Sequence, residues 1–218
     1  MAELRLKKGF NFLSHFYDLL LFISSGRTVI HSQVSLIKEL PHCSKALLIG
    51  EGTGNFLKYL AASGKVDYIV YVDISEGMCQ QAQKKLKTIN YTSKIEFRIG
   101  SFQQLQPSET FDLISTNYFM DVFTSKQLDE YIPLLLTHLK PSGLWYCTDF
   151  YNPAKLRLKD YLFKPFLFIL YLFFRVVCNL PAKKLVPYFE KLAQNGLQET
   201  SSEYFFLKFI KSAIHIKR

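Results

Sequence analysis

The sequence predicts a doubly wound α/β fold, a mostly parallel sheet with helices on both faces. Three observations lead there. Five short β-rich runs alternate with stretches of helical periodicity, the pattern of successive βαβ units. The first run ends in Gly50-Glu51-Gly52-Thr53-Gly54, directly before a helical stripe. The chain has 218 residues, 49% hydrophobic and 21% charged, which suits one packed domain of ordinary size.

The elements follow in order. Residues 7–39 carry Phe12, Phe16, Leu19, Leu20 and Ile23 at mixed helical spacing and break at Ser24-Ser25-Gly26, so two short helices fit. Residues 46–49 are an apolar strand stopped by Gly50. Phe56, Leu57 and Leu60 form one face of a helix over 55–63, with Gly64 just past its end. A second strand, 68–72, runs into Asp73, and Ser75 is placed to cap a helix over 76–86. Strands follow at 95–99, 111–116 and 144–148; a helix over 125–139 and a turn at Pro141-Ser142-Gly143 precede the last. Right-handed crossovers bring the C-terminal ends of these strands to one rim, where such sheets bind ligands. Residues 50–55, 73, 100–104, 116–121 and 149–151 lie there.

Beyond 151 the character changes. Residues 166–174 read FLFILYLFF, nine apolar or aromatic residues in a row. As a helix this run is about 13 Å long, short of a roughly 30 Å hydrocarbon core. It reads as a buried lid or as a segment lying in a membrane interface.

Composition excludes several classes of chemistry. Cys43, Cys79, Cys147 and Cys178 form no CxxC pair, and the five histidines show no HxH or HxxxH spacing. No disulfide framework and no metal site is expected. The charged opening of the chain has no secretory pattern, which suggests a reduced, cytoplasmic compartment. The net charge of +9 is compatible with nucleic acid, an anionic membrane surface or an acidic ligand.

The glycine-rich turn lets the backbone approach a ligand closely, and the helix behind it presents free N–H groups. Asp73 lies 19 residues beyond Gly54, the spacing at which a carboxylate reaches ribose hydroxyls. Both features suit a nicotinamide or an adenosyl cofactor. The dinucleotide motif requires Gly or Ala where this chain has Asn55, and no GK[ST] lysine marks a P-loop.

With VDISEGM at 72–78, Ala82, FDLIS at 111–115 and LKPSGLW at 139–145, the chain resembles the class I S-adenosylmethionine (SAM)-dependent methyltransferases. The resemblance is clear over 46–150 and looser beyond. It implies a seven-stranded sheet whose last strand is antiparallel, with residues 197–204 and 209–216 as the closing pair after a helix over 183–195. In that pair Ile210, Ile214 and Ile216 would be buried together, and Lys211, Lys217 and Arg218 would face water. It implies four segments: a helical cap (1–44), a cofactor-binding core (45–150), an aromatic lid or membrane-facing insertion (151–182), and a closing helix with a β-hairpin (183–218). SAM would lie across Gly50, Glu51, Gly52, Thr53 and Gly54, with Asp73 on its ribose, Ile74 and Met78 beside it, Ser101 and Phe102 at the adenine, and Asn117 nearby. Two departures stand out. Leu48 replaces the acid that many members carry two positions before the first glycine, and Ser101 replaces an aspartate. Glu51, between the glycines, is placed to supply the missing negative charge.

Thr116-Asn117-Tyr118-Phe119 lacks the prolines of the base-clamping tetrapeptide in nucleic-acid amino-methyltransferases, which argues against nucleic acid. Tyr118, Asp121, Asp149 and Tyr151 are the substrate-side candidates, with Asp121 the catalytic base and Tyr118 its partner. Tyr118 and Tyr151 also suit core aromatics, and Asp149 a loop cap. Residues 10–24, FNFLSHFYDLLLFIS, are similar to the leading helix of ubiquinone/menaquinone-type methyltransferases, which adds Tyr17 to the substrate side. The resemblance thus implies transfer to an oxygen or carbon of a hydrophobic acceptor, quinone-, phenol- or lipid-like. Lys155, Arg157, Lys159, Lys164, Arg175, Lys183 and Lys184 flank the aromatic run, set against Asp160, and suit peripheral contact with anionic lipid. The alternatives are a nucleic-acid or protein methyltransferase using this basic flank, and a non-catalytic SAM-binding relative, which Leu48 and Ser101 would suit.

Overall fold

The computed structural model describes residues 8, 9, 11, 27–151, 165, 168, 169, 172, 173, 175–178, 182 and 185–218. Tyr17 and the basic positions 155–164, 183 and 184 lie outside them.

Successive strand residues point to opposite faces, and the central strand β1 (Cys43–Ile49) is apolar on both. Its Leu47 and Ile49 join one buried cluster, Ala46 and Leu48 the other. A strand of this kind must be covered on both sides. Helices α2 (Asn55–Ala62) and α3 (Glu76–Leu86) supply Phe56, Leu57, Leu60, Cys79 and Ala82 to the cluster around Leu48. Helices α4 (Ser125–His138) and α5 (Tyr188–Gln194) supply Leu128, Ile132, Leu135, Phe189 and Leu192 to the cluster around Leu47. Helix α4 continues through Pro133 despite the lost N–H. Thr124 and Gln127 close a capping box at its start, and its apolar stripe is buried.

The other strands are β2 (Val66–Asp73), β3 (Lys94–Ile99), β4 (Phe111–Asn117), β5 (Leu139–Phe150), β6 (Leu197–Phe205) and β7 (Ile210–Lys217). They form one sheet in the order β3-β2-β1-β4-β5-β7-β6. Strands β1 to β5 are paired in parallel, and β7 is antiparallel to both neighbours. The order reverses between β1 and β4, the switch point where open α/β sheets bind ligands.

Helix α1 (Arg27–Val34) is tied to the sheet by its last carbonyls, which a helix end leaves without intrahelical donors. The Ser32 carbonyl accepts from Ser212 Oγ at 2.6 Å and Thr148 Oγ1 at 3.3 Å; that of Gln33 accepts from the Tyr146 hydroxyl at 2.7 Å.

Two sequence expectations change. Residues 139–143 belong to β5, with the Pro141-Ser142-Gly143 turn absorbed as an irregularity between the Phe111–Leu139 and Leu113–Leu144 pairs. Arg218 faces water as expected, but Lys217 is only partly exposed and Lys211 is buried, because the aromatic residues Phe189, Tyr151 and Tyr204 cover its face of the sheet. Lys211 is buried, ion-paired to Glu199 at 2.5 Å, with Nζ 5.0–5.5 Å from the ring centroids of Phe189, Tyr151 and Tyr204. Lys217 Nζ donates to the carbonyls of Leu136 and Leu139, both at 2.7 Å. Ile210 and Ile214 are buried, and Ile216 partly so.

The interior place of β7 makes truncation severe. Ending the chain after Glu203 strips β5 of its partner from Leu144 to Phe150 and exposes an apolar sheet edge. That protein is expected in the insoluble fraction. Cooperative thermal unfolding of a soluble truncated chain would contradict this strand order.

Candidate active site

The turn after β1 carries three positive φ values, Gly50 (+61°), Gly52 (+60°) and Gly54 (+77°). Steric needs reinforce two of them. A Cβ on Gly50 would come within 2.1 Å of the Phe119 ring, and one on Gly54 within 2.5 Å of Ala82 Cβ. The turn therefore packs directly on the segment after β4 and on α3. Thr53 is buried with its Oγ1 accepting from Lys85 Nζ at 2.8 Å, so its side chain faces α3.

Glu51 is the central charged group of the rim. The residue is 5% exposed; its carboxylate accepts from Ser115 Oγ at 2.6 Å and from Asn117 Nδ2 at 3.1 and 3.2 Å, and that nitrogen also donates to Ser115 Oγ at 3.1 Å. Burial pushes its pKa up to about 8, against the opposing pull of the Ser115 and Asn117 donors. Asn117 turns its amide nitrogen to Glu51, which leaves its buried Oδ1 without a hydrogen-bond partner among the described residues. A buried acceptor in that state costs about 1–3 kcal/mol. Leu48 is fully buried beneath, in the cluster of Phe56 and Tyr146.

Asp73 ends β2 at 8% exposure, and its Oδ1 accepts from the Ser75 N–H at 2.8 Å. Burial pushes its pKa up to about 7 despite backbone donors from Ser75 and Gly52. Ser75 also caps α3, accepting from the Met78 N–H at 3.1 Å, and its hydroxyl donates to Asn11 Oδ1 at 2.6 Å. Ile74 is half-buried and Met78 buried beside it. Ser101 is half-buried at the end of β3 and caps the short turn that follows. Phe102 is buried edge-on to Phe119 and Tyr131, backing the rim from within the core.

On the β4–β5 side, Asp121 is half-buried and Asp149 is 1% exposed. Asp149 Oδ2 accepts from the Asp121 N–H at 3.2 Å, and its Oδ1 from the Phe150 N–H at 2.8 Å. Burial raises the proton affinity of both carboxyls; for Asp149 the neighbouring Asp121 adds to it. Asp149 thus lies beneath Asp121. Tyr118 has φ +50°, sparsely populated for such a residue, and shares a 2.9 Å hydrogen bond with Ser32 Oγ. Its ring packs on Phe150 at 5.6 Å, while Tyr151 packs on Phe189 and Tyr204. The aromatic readings of Tyr118 and Tyr151 therefore hold alongside their rim position.

Residues 46–143 match the family model described as a methyltransferase domain. These residues form a SAM-dependent methyltransferase domain, in a sheet of the class I type. Its fold is shared with the DhpI–SAH complex at TM-score 0.67 and 14% identity, over 98% of this chain and 96% of that one. The cyclopropane synthase MmaA2 of Mycobacterium tuberculosis gives 0.65 and 13%, over 86% and 84%. The magnesium protoporphyrin IX methyltransferase of Synechocystis PCC 6803, with SAH bound, gives 0.62 and 18%, over 90% and 84%. At such identities the likeness is one of fold.

The methyl donor of this methyltransferase is SAM, and the rim fits it. The ligand carries two positive charges and a vicinal diol. The rim offers two buried acids, an orphaned amide oxygen and a turn open to close backbone approach. Ser115 was not singled out from the sequence, although Ser115, Thr116 and Asn117, polar residues ending a buried strand, are a usable signal. The Phe119–Gly50 packing and the Asn11 contact to Ser75 had none, being long-range.

The buried acids set a pH dependence. In the ligand-free protein Glu51 and Asp73 hold protons that the unfolded chain releases at lower pH. Their contribution to stability is therefore present in acid and lost as pH rises through about 7 to 8. Thermal unfolding of the ligand-free protein should fall in midpoint between pH 5.5 and 8.5. Glu51→Gln, which mimics the protonated acid, should flatten that fall by roughly 5–10 °C. An equally steep profile in the variant would place the proton elsewhere.

Proposed function

We propose that this methyltransferase moves the methyl group of SAM to an oxygen or carbon of a hydrophobic small molecule, quinone-, phenol- or lipid-like. The observation that carries the reading is the makeup of the acceptor side. Half-buried Asp121 follows Tyr118 and Phe119, whose rings pack on Phe150 and Phe123, and the Asp149 carboxylate accepts from the Asp121 N–H. An apolar acceptor with one ionisable hydroxyl matches that arrangement.

In this reading Gly50, Gly52 and Gly54 admit the cofactor, Glu51 and the Asn117 oxygen take its ammonium, and Asp73 takes its ribose hydroxyls. Ile74 flanks it with Met78 packed behind, Ser101 meets the adenine with Phe102 supporting it from the core, and Thr53 shapes the turn through Lys85. The cofactor supplies a methyl carbon already activated by its sulfonium. What remains for the protein is alignment and, for a hydroxyl or enol acceptor, removal of a proton. Asp121 takes that proton, its affinity raised by burial. Asp149 positions Asp121 through the Asp121 N–H, and Tyr118 holds the strained backbone between them and Asn117.

Peripheral contact with an anionic bilayer completes the proposal. Among the described residues no helix is long and apolar enough to cross a membrane. Helical positions Phe168, Ile169, Leu172, Phe173 and Val176 are nevertheless all exposed, at 38–77%. Their spacing, i, i+1, i+4, i+5 and i+8, places them on one face.

Two variants separate cofactor from acceptor chemistry. Asp73→Ala should weaken SAM binding in calorimetry by about 1.5–3 kcal/mol. Asp121→Asn should leave that affinity intact and lower single-turnover transfer to prenylated phenols or quinols roughly 100-fold or more, with loss of the acid limb of the pH–rate profile. Full turnover in Asp121→Asn with an unchanged profile would remove the base assignment.

A further inference from the structure

We infer that Asn11 is a positioning residue of the cofactor site, clamping the start of α3 so that Asp73 keeps acceptor positions open for the ribose diol. The inference deepens the cofactor reading proposed above and rests on its placing Asp73 at the ribose hydroxyls.

The first turn of a helix leaves N–H groups without intrahelical partners. At the start of α3 two of them are met from different places. The Met78 N–H donates to the Ser75 hydroxyl at 3.1 Å, and the Gly77 N–H donates to Asn11 Oδ1 at 3.2 Å. The Ser75 hydroxyl gives its own proton to that same oxygen at 2.6 Å. Asn11 is half-buried and Ser75 fully buried, so this junction is shielded from water. The partner lies 64 residues away in the chain, although a helix start is ordinarily capped from within its own sequence.

The junction decides what Asp73 can still accept. An ionised carboxylate offers about four lone-pair sites. At Asp73 the Ser75 N–H takes one at 2.8 Å and the Gly52 N–H another, which leaves room for the two hydroxyls of a vicinal diol. Ser75 carries a second donor, its hydroxyl, two positions along the chain from the acid. With Asn11 in place that proton is committed to Asn11, and the hydroxyl oxygen to Met78. Without Asn11 the hydroxyl rotates to another acceptor, and the buried acid nearest in sequence is Asp73. The Gly77 N–H would lose its partner at the same time, loosening the segment that carries Ile74 and Ser75 past the ribose.

The clamp is itself seated. Gly9 and Asn11 are both helical, and two positions on a helix are about 200° apart, so they face opposite ways. Gly9 is buried, and a Cβ there would come within 2.5 Å of both Cys178 Cα and the Val177 carbonyl oxygen. The backbone at Gly9 therefore packs directly on the backbone of helical residues 175–178, while Asn11 reaches across to α3. A contact of main chain on main chain has no flexible side chain to give way, and it fixes the height of the Asn11 oxygen over Ser75. Cys178, on the far side of the clamp, is buried as well.

The test is calorimetry of SAM binding to the wild-type chain, Asn11→Ala, Asn11→Asp, Asp73→Ala and the Asn11→Ala/Asp73→Ala pair, a double-mutant cycle. Asn11→Ala should weaken SAM binding about tenfold. Asn11→Asp, which keeps an acceptor oxygen at the same reach, should stay within about threefold of wild type. In the Asp73→Ala background, removing Asn11 should change affinity less than about twofold, because no acid remains to be positioned. A purely structural role would weaken binding equally in both backgrounds, and that result would overturn the inference. So would unchanged affinity in Asn11→Ala beside a clear loss in Asp73→Ala, which would leave the ribose reading standing. Unchanged affinity in Asp73→Ala would overturn the ribose reading and this inference with it. Should Asn11→Ala not fold, Asn11→Ser, whose hydroxyl is one bond too short to reach α3, takes its place in the cycle with the same expected outcomes.

Discussion

A parallel sheet with both faces buried has one place to keep polar atoms open, the rim where its strands end. In this protein the interior strands are sealed by α2 and α3 on one side and by α4 and α5 on the other. Backbone groups inside the sheet are satisfied by their neighbours. Everything chemically distinctive is therefore forced to the C-terminal ends of β1, β2, β4 and β5. Glu51, Asp73, Asn117, Asp121 and Asp149 all sit there, and none of their carboxyls or amides is more than half exposed.

That confinement gives the acids their character. A carboxylate removed from water is costly unless donors or a counter-charge compensate. The donors that Ser115 and Asn117 direct at Glu51 compensate only in part, since its pKa still rises to about 8. The unpartnered Asn117 oxygen beside it is a second unmet demand. A ligand ammonium, with several N–H donors and a positive charge, would meet both at once. The same logic holds for Asp121 and Asp149: burial raises the proton affinity of both, and the charge of Asp121 adds to that of Asp149, so ionising both is disfavoured. The rim is thus poised to respond to charge.

The edge of the sheet follows a different rule. An edge strand presents unpaired backbone, and proteins commonly blunt it with charge or twist. Of the two edges, β3 and β6, the second bears Glu199, Glu203 and a run of small polar residues. The interior β7 then buries a lysine, which an aromatic box and Glu199 hold. Burial alone would lower its pKa; the Glu199 pairing outweighs burial and keeps it above the ordinary value. Alternation along β7 puts Lys211 on the face opposite Ile210 and Ile214, but it does not say that Phe189, Tyr151 and Tyr204 cover that face.

What the sequence determined by itself was local or periodic. The alternation of strands and helices, the glycine turn, the Ser75 cap and the spacing from Gly54 to Asp73 are short-range patterns, and each folds as its residues dictate. Asp73, Glu51 and Asn117 were legible as rim residues because topology places every strand end there. Tertiary structure alone decided the contacts between elements far apart in the chain. It set Glu51 against Ser115, 64 residues away, Tyr118 against Ser32, and Phe119 over Gly50. It placed Asp149 beneath Asp121 and brought Asn11 to Ser75. Such contacts depend on strand order and on which face a side chain takes. A one-dimensional pattern specifies that a residue must be buried, but the partner that satisfies it is chosen only when the sheet closes.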